Sequence, residues 1–163
     1  MTFARAVLLA LPALFLTCPA PGYAQGGPEP DKKVRKHLDS RKIRYEIDAE
    51  GDFKITYSLP NNRTQLAFVR SITFEYGKLR IREILSIGYR SGGDAFPADV
   101  ANRMLEHNNS AKLGAWAKQG RLAIFTAKIP ADTSQAELID AIAVTVSLAD
   151  ELEKEFTGEK DEF

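Results

Sequence analysis

Two histidines, His37 and His107, are the side chains that could act as general bases near neutral pH. Neither lies in a recognisable motif, since the chain has no Gly-x-Ser-x-Gly, no His-Glu-x-x-His and no Gly-x-x-x-x-Gly-Lys. His37 stands among lysines, as a solvated residue would, and His107 stands at the end of a predicted helix, where the helix dipole favours a cation. We therefore predict no catalytic residue and a protein that is not an enzyme.

The acidic residues around Gly51 are the nearest approach to a metal-binding pattern. Asp48, Glu50 and Asp52 resemble a fragment of a calcium loop, but the distal bidentate glutamate of such a loop is missing. Acidic turns between strands are common without metal. We predict neither a metal site nor a cofactor.

A charge interrupts each of two apolar rows, Arg70 in one predicted strand and Glu83 in the next. With Gly77-Lys78 as a two-residue turn, Arg70 is expected opposite Leu85, diagonal to Glu83 on the same sheet face. Charges on an apolar face must pair or stay hydrated. Three interpretations follow: an ion pair at the sheet edge or under a helix end, a polar clasp in a partner-binding groove, or a bulge that turns one charge outward.

The elements that would position these residues are read from periodicity. A short helix is predicted from Asp31 to Leu38, and two hairpins follow it, because apolar and polar residues alternate on either side of turns near Gly51 and Gly77. The alternating apolar positions are Ile43, Tyr45, Ile47, Phe53, Ile55, Tyr57 and Leu59 in the first hairpin, and Leu66, Phe68, Ile72, Phe74, Tyr76, Leu79, Ile81, Leu85, Ile87 and Tyr89 in the second.

The second half predicts a helix, a hairpin and a long closing helix. Pro97 is placed to open the first helix, and Ser134 with Glu137 forms a capping box for the last. The strand Leu122–Ile129 has apolar residues on both faces, which predicts cover on both sides by helices or a second subunit. The order α-β-β-β-(β)-α-β-β-α predicts an α+β fold in which helices pack on an antiparallel sheet.

Composition excludes some function classes. The 163 residues are 44% hydrophobic with zero net charge, as in a single globular domain, and lack the basic excess of a nucleic-acid-binding protein. The charge is unevenly distributed, with 14 basic and 8 acidic residues from Asp31 to Arg90 but 7 basic and 13 acidic from Ser91 to Phe163. Such polarity can steer a charged partner or favour head-to-tail association.

The first 24 residues resemble a secretory signal. Arg5 precedes the apolar run Ala6–Leu16, which is too short to span a bilayer, and small residues end at Ala24. Cleavage after Ala24 would remove Cys18 and leave no stable membrane span, so we predict a thiol-free periplasmic or secreted protein. Residues 25–30 are predicted to be a flexible leader, 31–157 a single domain and 158–163 a charged disordered tail.

The element order and three segments resemble the YbjN family, described as bacterial sensory transduction regulators. The segments are Arg44 to Ile55, with its Tyr-x-x-Asp-x-x-Gly hairpin, the helix end Met104 to Asn108, and the small-residue strand and turn from Ala111 to Gly120. The resemblance covers about Asp31 to Phe156. It implies the fold of class I type III secretion chaperones, which often dimerise and hold a partner in extended form, although those chaperones act in the cytoplasm.

We expect an exported, chaperone-like module that binds a protein or peptide through a face or an edge of the sheet. Its expected role is in envelope sensing or regulation. We also expect that the protein can form a homodimer. The residues assigned to partner binding are Arg70, Glu83, Trp116 and Phe125. The alternative is a small-ligand or lipid carrier that uses the apolar sheet face, with a lining of Tyr45, Tyr57 and Phe68.

Overall fold

The computed structural model of the protein describes residues 28–158 and 160–163. The predicted signal, Cys18 and the first residues of the leader lie outside the described residues. The helices are α1 (Lys32–Ser40), α2 (Ala98–Ser110) and α3 (Gln135–Thr157). The strands are β1 (Glu46–Ile47), β2 (Phe53–Ser58), β3 (Thr64–Tyr76), β4 (Leu79–Arg90), β5 (Gly114–Gln119) and β6 (Leu122–Pro130), with one short 3-10 turn at Pro60–Asn62.

The six strands form one antiparallel sheet in the order β1-β2-β3-β4-β6-β5. Neighbours in sequence are neighbours in the sheet, except that β6 lies between β4 and β5. The α+β class and the predicted order of elements are confirmed, and the fourth strand is present.

Local signals set the ends of the helices. Asp31 caps α1 by accepting hydrogen bonds from the Lys33 and Val34 N–H groups, both at 2.9 Å. The predicted capping box of α3 is formed: the Ser134 hydroxyl accepts from the Glu137 N–H, and the Glu137 carboxylate accepts from the Ser134 N–H. Gly77 supplies the positive φ, 61°, that the tight β3–β4 turn requires.

Helix α3 packs across one side of the sheet, which we call the covered face. Small or slender residues of β3 and β4 lie beneath it, among them Ala67, Ser86 and Gly88. A Cβ added at Gly88 would come within 2.9 Å of the Ala149 carbonyl oxygen and 2.4 Å of the Trp116 ring. The close approach of α3 therefore depends on the absence of a side chain at Gly88.

Two bulges change the predicted register. Tyr76 does pair with Leu79, but two extra residues in β3 between Val69 and Thr73 place Phe68, not Arg70, opposite Leu85. A second irregularity in β4, between Ile87 and Tyr89, turns Tyr89 onto the covered face. Tyr89 packs there edge-on between Phe96 and Phe156, so it leaves the apolar row in which its spacing placed it.

Candidate functional site

The side of the sheet opposite α3, which we call the open face, carries an apolar row on its two central strands. Leu66 and Phe68 of β3 and Leu85 and Ile87 of β4 project from it, and all four are half-buried. Within residues 28–158 no helix packs on this side, since α3 contacts the covered face and α2 packs on β5. The centre of the open face is therefore an apolar surface made by the sheet alone.

The apolar surface continues onto the tip of the β3–β4 hairpin. Four large hydrophobic side chains are exposed there, with exposed fractions of 54%, 37%, 68% and 63% for Ile72, Phe74, Tyr76 and Leu79. Phe74 pairs with Ile81 and Tyr76 with Leu79, which extends the rows of the open face. Exposed apolar patches of this kind are typical of interaction surfaces.

The two charges predicted to form a clasp have different partners. Arg70 lies in the β3 bulge with its Nε 2.8 Å from the Asp52 carboxylate, whereas the Glu83 carboxylate lies 3.8 Å from Lys128 Nζ across the β4–β6 pair. The two interpretations that pair Arg70 with Glu83 are therefore wrong, and a bulge, the third interpretation, is present in β3, where its two extra residues shift the register between the two charges. Burial is the main cause of a raised pKa at Asp52, against the opposing effects of the Ser71 N–H and Arg70.

Trp116 and Phe125 lie on the covered face. Phe125 is fully buried and Trp116 nearly so, and their rings meet edge-on at 5.4 Å. They are core residues that a partner could not reach in this conformation. Of the two covers predicted for β6, helices on both faces are not found in the described residues, because α3 packs on the Phe125 side alone, and a second subunit on the other face stays a prediction.

The three aromatic residues assigned to a carrier lining are not brought together. Tyr45 packs edge-on against Phe53 at 5.1 Å, and Tyr57 belongs to the covered face, whereas Phe68 is on the open face. Burial, followed by a 2.9 Å hydrogen bond that its hydroxyl donates to Asp39, raises the pKa of Tyr45. The sheet separates Phe68 from Tyr57, so the two rings cannot line one cavity.

An open groove of about 500 Å³ lies between the first half of α3 and the end of β6. Its floor is apolar, with Leu113, Ile129 and the 42%-exposed Val144. Its rim is acidic, with Asp132, Glu137 and Asp140. Sequence reasoning missed this groove, because the packing of α3 against the end of β6 and the approach of Leu113 are decided by the tertiary structure, although β6 and α3 follow one another in the chain.

The β5 edge of the sheet is protected at one point against an added strand, whereas at the other edge β1 pairs only with Phe53 and Lys54 of β2. The β1 edge has only two residues. At the β5 edge the Asn108 side chain accepts a hydrogen bond from the Trp116 N–H at 2.6 Å and approaches the Trp116 carbonyl at 3.4 Å. Asn108 thus occupies the groups that a new strand would use, which makes edge pairing at this point unfavourable.

Arg82 is buried on the covered side of the sheet. It is 2% exposed, pairs with the Asp31 carboxylate at 2.7 Å and donates to the backbone carbonyls of Arg70 and Ser71 in the β3 bulge. Burial opposes ionisation of Asp31, but hydrogen bonds from the Val34 N–H and from Arg82 lower its pKa overall. Arg82 therefore fixes α1 to the bulge.

A second buried charge cluster joins β3, α3 and the residues after α3. Arg63, 8% exposed, lies with Nε 2.6 Å from the Asp150 carboxylate and with Nη2 3.2 Å from the Glu153 carboxylate. Lys160 to Phe163, for which disorder is predicted, lie against this cluster, and Phe163 is only 6% exposed. The cluster was not predicted, because Arg63 lies far from Asp150 and Glu153 in the chain.

The two acidic residues of this cluster have pKa values shifted in opposite directions. Burial raises the pKa of Glu153 more than the Glu162 N–H and Arg63 lower it. At Asp150 burial acts in the same direction, but hydrogen bonds from Lys154 and Arg63 outweigh it and lower the pKa. For Arg63 itself burial disfavours the charged form, and the bond to Asp150 with the nearby carboxylates raises the pKa overall.

The histidines are placed as structural residues. His107 is buried and accepts a 3.3 Å hydrogen bond at Nδ1 from the Trp116 indole, and its Nε2 lies 3.9 Å from the Glu151 carboxylate. His37 is half-buried in α1. In the described part of the chain no three metal-ligating side chains gather into a cation site.

Comparison with protein-family models and with curated proteins finds no match to this chain. None of the helices in residues 28–158 combines the length and apolarity that crossing a membrane demands.

Proposed function

We propose that this protein is an exported, non-enzymatic module that binds a protein or peptide partner through the open face. The supporting observation is the continuity of two apolar surfaces: the half-buried row Leu66, Phe68, Leu85 and Ile87, and the exposed hairpin tip from Ile72 to Leu79. Covering these side chains would remove apolar area from water, at a gain of about 25 cal/mol per Å².

The open face supports binding better than the strand edges do. β1 offers two residues, and Asn108 already occupies the Trp116 backbone groups of β5. A partner would therefore contact side chains of the sheet more than its backbone. Affinity would come from apolar burial at the centre, and orientation from polar groups at the rim such as the Glu83–Lys128 pair.

Export and a regulatory or chaperone-like role in the envelope are part of this proposal. Export is supported by the arrangement of Arg5, the run Ala6–Leu16 and the small residues before Gln25. The resemblance to the YbjN family and to type III secretion chaperones rests on the sequence, on the segments Arg44 to Ile55, Met104 to Asn108 and Ala111 to Gly120 and on the predicted order of elements. The partner on the open face could be a second copy of the chain. The test must therefore distinguish homodimerisation from binding of a different protein.

The proposal is tested with the mature chain as bait in an envelope extract, in three forms: wild type, Phe68→Glu and Leu105→Glu. Phe68→Glu places a charge in the centre of the open face. Leu105→Glu is the matched control, because Leu105 is an apolar residue of α2, 66% exposed and away from that face.

Proteins captured by the wild type and by Leu105→Glu, and reduced about tenfold or more with Phe68→Glu, would support the proposal. Equal capture by all three forms would contradict it. Light scattering of the same proteins identifies a second copy as the partner if a dimer is lost only in Phe68→Glu. A small molecule that co-purifies in place of a protein would favour the carrier.

A further inference from the structure

The end of the sheet where β3 begins and β4 ends is held open. The β3–β4 pairing stops at Ala67–Ser86, although β3 starts at Thr64 and β4 runs on to Arg90. Side chains bridge the opening: Ser86 Oγ donates to the Leu66 carbonyl at 2.6 Å, and Gln65 Nε2 donates to the Ile87 carbonyl at 2.6 Å. Gln65 is fully buried, and its Oε1 meets no donor among the described residues.

The segment Asp161–Phe163 occupies this end of the sheet, and each of its residues has its own contact. The Asp161 carboxylate accepts from the Thr64 N–H at 3.1 Å and from the Thr64 hydroxyl at 3.0 Å. The Glu162 carboxylate lies 2.7 Å from Arg90 Nε, and its N–H donates to Glu153 at 2.6 Å. The Phe163 ring is buried, with the Arg90 guanidinium 5.5 Å from its centre.

The groups that receive this segment are positioned by the rest of the fold. Arg63 is held by Asp150 and Glu153 of α3, and its Nη2 lies 3.6 Å from the Asp161 carboxylate. The Arg63 guanidinium is already paired with two carboxylates, so what it offers the Asp161 carboxylate is chiefly a fixed position that needs no ordering when the segment docks. Arg90 combines a charge-assisted hydrogen bond to an acid with a cation–π contact to the next residue. This end of the sheet therefore accommodates two acidic residues followed by an aromatic one.

We propose that this end of the sheet, the tail site, binds peptide segments of other proteins that carry two acidic residues followed by an aromatic one, and that Asp161–Phe163 occupies it as an internal competitor. The inference rests on the proposed binding function and names a class of partner. The double change Glu162→Ala with Phe163→Ala in the full chain would open the site. The first change removes the ion pair with Arg90, and the second removes the buried ring. An internal segment competes at an effective concentration of about millimolar, so an incoming peptide has to displace it.

The test measures binding of a fluorescent peptide in which Asp-Glu-Phe is flanked only by Gly and Ser. Unrelated flanks ensure that any binding comes from the three residues Asp-Glu-Phe and not from other contacts of the native segment. We expect the full-length double variant to bind this peptide about tenfold or more tightly than the wild-type chain does. Peptides with Lys-Lys-Phe or Asp-Glu-Ala in place of Asp-Glu-Phe are expected to lose most of that binding.

Arg90→Ala, introduced into the double variant, should weaken binding about tenfold, because it removes a charge-assisted hydrogen bond. Arg80→Ala is the matched control, since Arg80 is a half-exposed arginine of the same strand whose nearest acid, Glu75, is 3.9 Å away. Circular dichroism verifies that each protein is folded. If the double variant is not folded, the single Phe163→Ala chain replaces it in the same titration.

Failure of the Asp-Glu-Phe peptide to bind a folded opened chain, or equal binding of the Lys-Lys-Phe peptide, would overturn the proposal. Either result leaves the open face untouched, because Phe68 lies away from Arg63 and Arg90 along the strands. Peptide binding that survives Phe68→Glu, while capture of a large partner does not, would show that the two sites act separately.

Discussion

The covered and open faces of the same sheet differ in a way that hydrophobicity alone does not indicate. Beneath α3 the strands present small or polar side chains, such as Ala67, Ser86 and Gly88, whereas the larger Leu66, Phe68 and Leu85 point away from the helix. The helix contributes small residues of its own, including Thr145 and Ala149. Close packing of a helix on a sheet is limited by side-chain volume, so α3 approaches β3 and β4 at their small residues, while the large buried rings Phe53, Trp116 and Phe125 fill other parts of the same face.

The polar residues of the covered face are held by hydrogen bonds. Ser86, Gln65 and Arg82 are almost fully buried, and each donates to backbone carbonyls of neighbouring segments. Burial of such groups is tolerated when their hydrogen bonds are made. The covered face thus specifies one arrangement of the strands, while the open face keeps apolar area available.

The largest difference between the two faces is expected from removing one phenylalanine from each. Phe125→Ala leaves a cavity under α3 and should lower the free energy of unfolding by about 4 kcal/mol. Phe68→Ala removes a half-buried ring from the open face and should cost about 1 kcal/mol. Urea unfolding measures both. Equal losses of unfolding free energy in the two variants would mean that another molecule covers the open face in solution. If that molecule is a second copy of the chain, the urea midpoint would depend on protein concentration.

The next effect tests the close approach of α3. Gly88→Ala places a Cβ against Trp116 and the Ala149 carbonyl and should destabilise the fold by about 2–3 kcal/mol. Gly92→Ala is the control, because a Cβ at Gly92 meets no atom within 4 Å, and its effect should stay within about 0.5 kcal/mol. Similar midpoints for the two variants in thermal unfolding would show that α3 does not press on the sheet at Gly88.

The protected edge of β5 provides a smaller test, since it limits where a partner can bind. Asn108→Ala leaves the Trp116 N–H without its hydrogen bond and should cost about 1–2 kcal/mol. Asn109→Ala, an exposed change on the same helix, should cost about 0.5 kcal/mol or less. Hydrogen exchange of the Trp116 amide should accelerate only in the first variant. Unchanged exchange would argue against the edge role of Asn108.

The smallest effect concerns the buried charge cluster of Arg63, Asp150 and Glu153 at the end of the sheet. The pKa of Glu153 is raised in the folded state, so its contribution to stability is present below the ordinary value of 4.5 and is lost as the pH rises through the folded pKa. Glu153→Gln should therefore gain unfolding free energy relative to the wild type as the pH rises from below 4.5 to neutrality.

Asp150→Asn is the counterpart with the opposite sign. The pKa of Asp150 is lowered, so its contribution is present above the ordinary value of 3.8 and is lost as the pH falls through the folded pKa. The free energy of unfolding of Asp150→Asn should fall increasingly below that of the wild type as the pH rises through the acid range to above 3.8. Urea titrations at a series of pH values measure both trends, and parallel curves for the two variants would contradict the opposite shifts.

Much of the fold could be predicted, because its signals are local. The alternation around Gly51 and Gly77, the cap at Ser134 and the pairing of Tyr76 with Leu79 all depend on residues close in sequence. A bulge near Arg70 was one of three interpretations of the sequence, but its position and its size of two residues could not be predicted. The extra residues after Val69 are held by Asp52, Arg82 and Asp31, which come from three other segments.

The candidate site was predicted less well than the fold. Phe68, assigned to the carrier, and Glu83, assigned to partner binding, lie on the open face, whereas Trp116 and Phe125 are core residues. Alternation shows which residues share a face, but a period of two cannot show which face receives the helix. The ion pairs were also beyond sequence reasoning, since Arg63 and Asp150 are 87 residues apart.

Local chemistry in the chain determined the α+β class, the order of its strands and helices and the caps and turns that separate them. Which face α3 covers, where β3 and β4 part and which charges become buried were decided only in the tertiary structure. The physical reason is that propensity and periodicity act over a few residues, while side-chain volume and charge pairing are settled between segments that meet after the chain has folded.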